Sequence, residues 1–497
     1  MSITIGIDLG TTNSAVAWHD GVSVEIIETS SGKTLLPSVV SIDDKDRIVV
    51  GHQAQKQIRR HMRPEYVFTN IKSHIGMPFI EGEDYGLQIT NVEGERWFRG
   101  PNDLDYSPVE LSAEILKTLK ASAERRLGKE VTQAVIAVPA YFNNIRVEKT
   151  REAGKLAGFR KVIIRTEPEL AAMAYGLDKE KMSRIAVYDL GGGTFDFVLL
   201  RAGDRRLEYL AKLGDDQLGG YLYDRAIQKW LVDAYRQDEQ REISKIGLLR
   251  LAPAIEDAKK ELTDFDSAEI AQVGVFFDSD LGDTLDVNYT IAREKFETLV
   301  ESFTRQTVEI TKRALQMANK TVRDVDEVLL VGGMTRVPSV RKAVASLFGE
   351  AKLRDRENPD LVVAKGAAIA AAIEDGRSPG RTSYNHVTAQ PFGLIGKHDT
   401  VHMLVPAGTP YGQKSKVSIF HLGTAEDGQT VIPIAIVQGD SRSARECTVL
   451  ARYDHKVPAG PARSEKVDIE VMVDEEGQLI VAGVDCRTGQ TLRILEP

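Results

Sequence analysis

Two acidic residues open similar short runs: Asp8-Leu9-Gly10-Thr11-Thr12 near the start of the chain, and Asp189-Leu190-Gly191-Gly192-Gly193-Thr194 far along it. Each follows an apolar, strand-like stretch and leads into another. Singly, such a run reads as a tight turn in which glycine supplies backbone conformations other residues avoid. The pair suggests more. A strand–turn–strand loop of small residues leaves its N–H groups free to point at an anion, and two such loops facing each other could hold the phosphates of a nucleotide. Asp8 and Asp189 would then stand where a hydrated Mg2+ balances the phosphate charge. Two other phosphate-binding designs fail on spacing. In "SGKT" (31–34) the first glycine of a Walker loop would fall at Ile27, and no G-x-G-x-x-G opens a helix after a strand.

The elements that must position these loops follow from the wider pattern. The chain has 497 residues, too many for one hydrophobic core and enough for roughly three or four domains of ordinary size. Hydrophobic residues make up 42% and charged residues 28%, the balance of a globular protein. The formal charge of −9, without runs of like charge, argues against nucleic acid or an anionic membrane as partner. Two cysteines, Cys447 and Cys486, are too few for a disulfide framework. The N-terminus reads directly as a strand with no signal peptide, and "GAAIAAAI" (366–373) is too short to span a bilayer. The expected residence is cytoplasmic.

Up to about residue 375, β-branched runs such as "AVIAVPAYF" (134–142), "RIAVYDL" (184–190) and "EVLLVGGMT" (327–335) alternate with helical periods at 111–128 and 296–318. Leu299, Phe303, Thr307 and Ile310 share one face of the latter. At "EDGRSPGRTSYNH" (374–386) Gly, Pro, Ser and charges mark a linker. Beyond it, period-two alternation about turns such as Glu476-Gly477 predicts an antiparallel β domain. The expected organisation is an α/β region over 1–375, a linker over 376–390 and a small β-sandwich over 391–497, with no helical segment after it.

Four further stretches accompany the two loops in order: "NIKSHIG" (70–76), "VPAYFNN" (138–144), "TEPELAAMAYG" (166–176) and "LVGGMTRVPSVR" (330–341). Together they resemble the ATPase domain of the DnaK-type chaperones, the seventy-kilodalton heat-shock family. The resemblance implies a duplicated, two-lobed actin-like ATPase fold with ATP or ADP and Mg2+ (and potassium) between the lobes. It places Gly10, Thr11, Thr12, Gly191, Gly192, Gly193 and Thr194 on the phosphates, and Asp8 and Asp189 on the metal through water. It sets Lys72 beside the γ-phosphate, with Glu167 and Asp196 as the remaining acids of the hydrolytic site. Gly219 and Gly220 form a further nucleotide-contacting turn, with Asp224 following. Adenosine would be met by Glu256, Lys259, Lys260 and Thr263, by Gly332, Gly333 and Arg336, and by Asp360. Long side chains can sandwich a purine with their aliphatic stems, although the spacing at 256–263 also suits a solvated helix face.

The C-terminal region is similar to the family's peptide-binding sandwich, which implies extended polypeptide clients, J-domain and nucleotide-exchange co-chaperones, and a cleft lined by Leu394, Phe420, Ala425, Ile432, Ile434 and Val467. Alternation by twos fits a filled sandwich core equally well. The chain departs from the family at Met334, at Val147 (an arginine in the family pattern, here preceded by Arg146) and at Ile163. Its linker lacks the family's leucine run, which predicts weak docking by apolar burial. The linker keeps a nucleotide-gated interaction protein or filament former open, and the fold keeps a small-molecule kinase open.

Overall fold

The computed structural model describes all residues except 1–2, 60–62, 84–87, 177–181, 204–205, 279–282, 379–382, 386–387, 389, 413–419, 475–478 and 496–497. The expected Glu476-Gly477 turn therefore lies outside the described residues. In the α/β region two sheets repeat one topology. The first orders its strands β5-β4-β1-β2-β3, comprising β1 (Ile3–Asp8), β2 (Asn13–His19), β3 (Val24–Ile26), β4 (Val131–Val138) and β5 (Lys161–Thr166). The second contains β6 (Ser183–Leu190), β7 (Phe195–Gly203), β8 (Arg206–Asp215), β9 (Glu327–Val331), β10 (Leu353–Arg354) and β11 (Ser383–Asn385), in the order β10-β9-β6-β7-β8-β11.

The correspondence is strand for strand. β1 is antiparallel to β2 and parallel to β4, as β6 is antiparallel to β7 and parallel to β9. Each Asp-Leu-Gly run is thus the hairpin turn leaving the central strand of its sheet. The parallel strands read as continuous apolar runs because helices cover both of their faces; Val135, Ile136 and Ala137 of β4 are all buried.

The helices that matter for the site are α1 (Ile71–His74), α2 (Pro108–Leu127), α3 (Asn144–Leu156), α4 (Glu167–Ala174), α5 (Gly220–Glu239), α6 (Lys245–Glu261), α7 (Arg293–Met317), α8 (Pro338–Phe348) and α9 (Val362–Glu374). Helices α2 and α7 extend the two predicted helical periods by a few residues. Ser107 and Glu110 form a capping box that starts α2. Small residues let α9 lie against both lobes: Ala364 and Ala368 pack on Ala15 and Ala17 of β2, and Gly366 abuts the backbone of Leu170 in α4. No helix among the described residues is long and apolar enough to cross a membrane.

From Phe392 on, the described residues form β-strands and loops with two short 3-10 turns, Lys397–Asp399 and Ala444–Glu446. One sheet orders β13 (Val401–Val405), β12 (Phe392–Ile395), β15 (Val431–Gln438) and β16 (Thr448–Lys456); the other orders β14 (Phe420–Gly423), β17 (Lys466–Val473), β18 (Leu479–Asp485) and β19 (Thr491–Leu495). Leu394, Ile432, Ile434 and Val467 are buried in the common core with Phe392, Ile469 and Val481. In this arrangement these four fill the sandwich rather than line an open cleft, because their strand faces are already covered by the opposing sheet. Ala425 sits on an exposed turn, and the side chain of Phe420 lies outside the described residues.

The linker segment is seated otherwise than by leucine burial. β11 pairs in parallel with β8, Ser383 against Arg206 and Asn385 against Glu208, as the sixth strand of the second sheet. Main-chain pairing needs no particular side chains, so the composition of the linker did not report it. The sandwich also touches the first lobe. Asn143 Nδ2 donates to Thr448 Oγ1 at 3.3 Å, and the Asn144 N–H donates to Gln438 Oε1 at 3.1 Å.

Candidate active site

The two hairpin turns face each other across the lobes. A side chain on Gly192 would strike Thr12 of the opposite loop, so glycine there sets how closely the loops approach. Helix α5 holds the second loop from behind: the N–H groups of Gly220 and Tyr221 donate to the carbonyls of Gly191 and Gly192 at 3.0 and 2.8 Å. Gly332, which opens the turn after β9, has φ of +79°, the left-handed region that glycine enters at low cost, and it lies against the Leu190 backbone.

Between the loops lies a cavity of about 530 Å3. Its walls bring together Asp8, Gly10, Thr11, Thr12, Lys72, Glu167, Asp189, Gly191, Gly192 and Thr194 at one end, and Glu256, Lys259, Lys260, Thr263, Gly332, Gly333, Arg336 and Asp360 at the other. Four expected residues stand behind the wall. The backbones of Gly193 and Gly219 pack on each other, Gly220 lies under Met334, and Asp196 accepts the Tyr141 N–H at 2.8 Å. Asp224 is also set back, where it accepts from Lys259 Nζ at 2.8 Å. Lys33, His52 and Met334 line the cavity as well. Lys33 belongs to the "SGKT" run that fails as a Walker loop, and His52 donates to or accepts from no phosphate motif; its Nε2 meets the Leu35 carbonyl at 3.1 Å. Nothing in their spacing marked either one.

At the phosphate end, Lys72 Nζ donates to Glu167 Oε1 at 2.6 Å, and both side chains are buried. Four carboxyl groups share this region with the ammonium of Lys72, and the buried ammonium of Lys212 also acts on Asp196. Burial, then Glu167, pushes the Asp8 carboxyl up to about 7. Burial and the neighbouring Glu167 and Asp196 raise Asp189 well above the carboxylate range, and burial with Glu167 raises Asp196 to about 7. One oxygen of Asp196, Oδ2, is buried without a hydrogen-bond partner among the described residues. Such a cluster is short of positive charge, and a divalent cation would relieve it. Among the described residues no three His, Cys, Asp or Glu side chains converge closely enough to ligate a metal directly.

At the far end Lys260 pairs with Glu256 at 2.6 Å and Arg336 with Asp360 at 3.2 Å. Two aliphatic stems thus flank the opening with their heads already neutralised. A duplicated two-sheet fold, a cleft between paired hairpin loops and a trailing β-sandwich occur here in one chain. A family model described as Hsp70 protein matches residues 4–496. The chain belongs to the Hsp70 family. Hsp70 proteins are ATP-dependent chaperones, and the mixed α/β architecture is consistent with the Hsp70 actin-like ATPase fold plus a β-sandwich region.

Proposed function

We propose that this Hsp70 chain is an ATP-hydrolysing, DnaK-like chaperone in which nucleotide between the lobes biases a peptide site on the β-sandwich. The observation that carries the reading is the buried Lys72–Glu167 pair, set among carboxylates of raised pKa between two glycine loops. Residues 1–375 form the ATPase unit, 376–390 the joint and 391–497 the substrate unit. Asp8 and Asp189 hold Mg2+ through water, and the metal supplies charge neutralisation at the phosphates. Gly10, Thr11, Thr12, Gly191, Gly192 and Thr194 cradle the phosphates. Lys72 stabilises charge on the transferring phosphoryl group, while Glu167 and Asp196 orient the attacking water. Phosphoryl transfer to water depends on such positioning and electrostatics more than on a strong base. Glu256, Lys259, Lys260, Thr263, Arg336 and Asp360 flank the adenosine. Clients are extended apolar segments bound by main-chain pairing, with J-domain and exchange co-chaperones as regulators.

One observation favours a second reading, a nucleotide-gated partner of a single client: Leu394, Ile432, Ile434 and Val467 are committed to the core. Two measurements test the proposal together. Lys72→Ala should lower single-turnover ATP hydrolysis by about 10²–10³-fold, the scale of losing one preorganised electrostatic contact, and an apolar heptapeptide should dissociate faster in ATP than in ADP. Unchanged turnover sinks the role given to Lys72. Equal dissociation rates, or no peptide binding, sink the chaperone coupling and leave the second reading.

A further inference from the structure

Arg146, in the first turn of α3, is fully buried yet does not line the nucleotide cavity. Three of its hydrogen bonds go to one short segment. Nε donates to the Ile75 carbonyl at 3.1 Å, and Nη2 donates to those of Lys72 and Ser73 at 3.1 and 3.4 Å. These carbonyls end α1, a four-residue helix too short to hold itself by its own hydrogen bonds. Helix ends leave carbonyls without intrahelical partners; Arg146 satisfies those of Ser73 and Ile75 and joins the Ile75 N–H on that of Lys72. The side chain of Lys72 leaves this same turn to reach Glu167. The remaining nitrogen, Nη1, donates to Asp216 Oδ2 at 2.6 Å. Asp216 belongs to the other lobe, on the loop from β8 to Gly219 and α5. The Phe142 ring packs under the guanidinium, 3.8 Å from its carbon to the ring centroid. A shift of one position turns a helical side chain by about 100°, so Arg146 points inward while Val147 lines a separate cavity on the other side of α3.

Resting on the ATPase reading, we propose that Arg146 is a positioning residue that makes the placement of Lys72 conditional on lobe closure. With the lobes together, Asp216 supplies the counter-charge that a buried guanidinium requires, and the three carbonyls of the Lys72 segment are clamped. When the lobes part, Asp216 withdraws, the guanidinium must rehydrate, and the clamp on Lys72 is released. Closure and readiness to hydrolyse are then one event. The full-length chain tests this with Arg146→Gln, Arg146→Lys and Asp216→Asn. Single-turnover hydrolysis, ADP affinity, and amide hydrogen exchange over residues 71–76 are measured with nucleotide present. Arg146→Gln is expected to slow hydrolysis by about 10²-fold, the effect of a misplacement on the order of an ångström. It should leave ADP affinity within about threefold and speed exchange at 71–76. Arg146→Lys should not rescue, because an ammonium cannot reach three carbonyls and a carboxylate together. Asp216→Asn, in a partly exposed loop, serves where Arg146→Gln does not fold, and combined with it should add no further loss. Unchanged exchange at 71–76 in either single variant overturns the inference, as does a loss of hydrolysis matched by the loss of affinity. A wild-type chain that binds ATP without hydrolysing it overturns the ATPase reading alone, and exchange at 71–76 still decides for Arg146.

Discussion

Glu167, Asp189 and Asp196, all buried, and the half-buried Asp8 share the neighbourhood of the Lys72 ammonium, and Asp8, Asp189 and Asp196 are displaced upward by burial and by carboxylate neighbours. Two residues on, the half-buried His74 is in the opposite electrostatic situation. Burial, then the cations Arg96 and Arg146, lowers its imidazole from 6.5 to about 3, and its ring packs edge-on against Phe98 at 5.3 Å. A histidine whose folded pKa is depressed contributes stability above its unfolded value, and that contribution is lost as pH falls from 6.5 toward 3. On lowering the pH from about 7.5 to about 5.5, His74 should cost about 1.4 kcal/mol, the free energy of protonating the unfolded imidazole. Urea unfolding of the wild type and of His74→Leu at both pH values measures it; an identical acid loss in the two proteins would remove His74 from the account.

The crossing of α9 and α4 governs how the two sheets meet. Its tolerance for substitution is a matter of backbone contact. A Cβ on Gly366 would enter the Leu170 backbone, whereas one on Gly376, just past the end of α9, would meet nothing within 4 Å. Gly366→Ala must therefore push the helices apart, and overpacking of this kind costs about 1–3 kcal/mol or more. Gly376→Ala carries only the strain of its φ of +68°, on the order of 1 kcal/mol. Thermal unfolding of the two variants should separate them, with Gly366→Ala the lower. The reverse order would show that the helices yield and the contact is soft. Helix α9 itself, "VVAKGAAIAAAIE", was legible as an apolar run, but that it is wedged between the lobes follows from which surfaces its small residues meet.

Across the whole molecule, the sandwich is tied to the ATPase lobes by β11 and by the Asn143–Thr448 and Asn144–Gln438 contacts. Asn143 also caps α3, accepting the Arg146 N–H at 3.0 Å, and the Tyr141 N–H holds Asp196. The loop 141–146 therefore touches the sandwich, the Lys72 clamp and a site carboxylate within six residues. The strand β11 is the more selective place to cut this linkage. Tyr384→Pro removes an N–H and fixes φ, so it should break parallel pairing with β8. Peptide release would then become the same in ATP and ADP, with basal hydrolysis held within about twofold because no residue of the cavity wall is altered. Nucleotide-dependent release that survives the proline would place the coupling in the loop 141–146 and not in the strand.

The sequence by itself determined what is local or repeated. The two Asp-Leu-Gly turns and the apolar strands on either side are properties of neighbouring residues, and each appears in the fold. So does the duplication, since both hairpins leave the central strand of an equivalent sheet. Only the tertiary structure decided matters that depend on which distant residues meet. Alternation by twos shows that one face of a strand is buried but not what buries it, so Ile432, Ile434 and Val467 could not be assigned to core or cleft. Spacing carried no sign of Lys33 and His52 at the cavity wall, because their neighbours in space come from other elements. The linker's pairing escaped notice because main-chain hydrogen bonds leave no mark in side-chain composition. Arg146 read as a displaced arginine until its helix phase turned it inward, onto three carbonyls 71 to 74 residues away and a carboxylate 70 residues away.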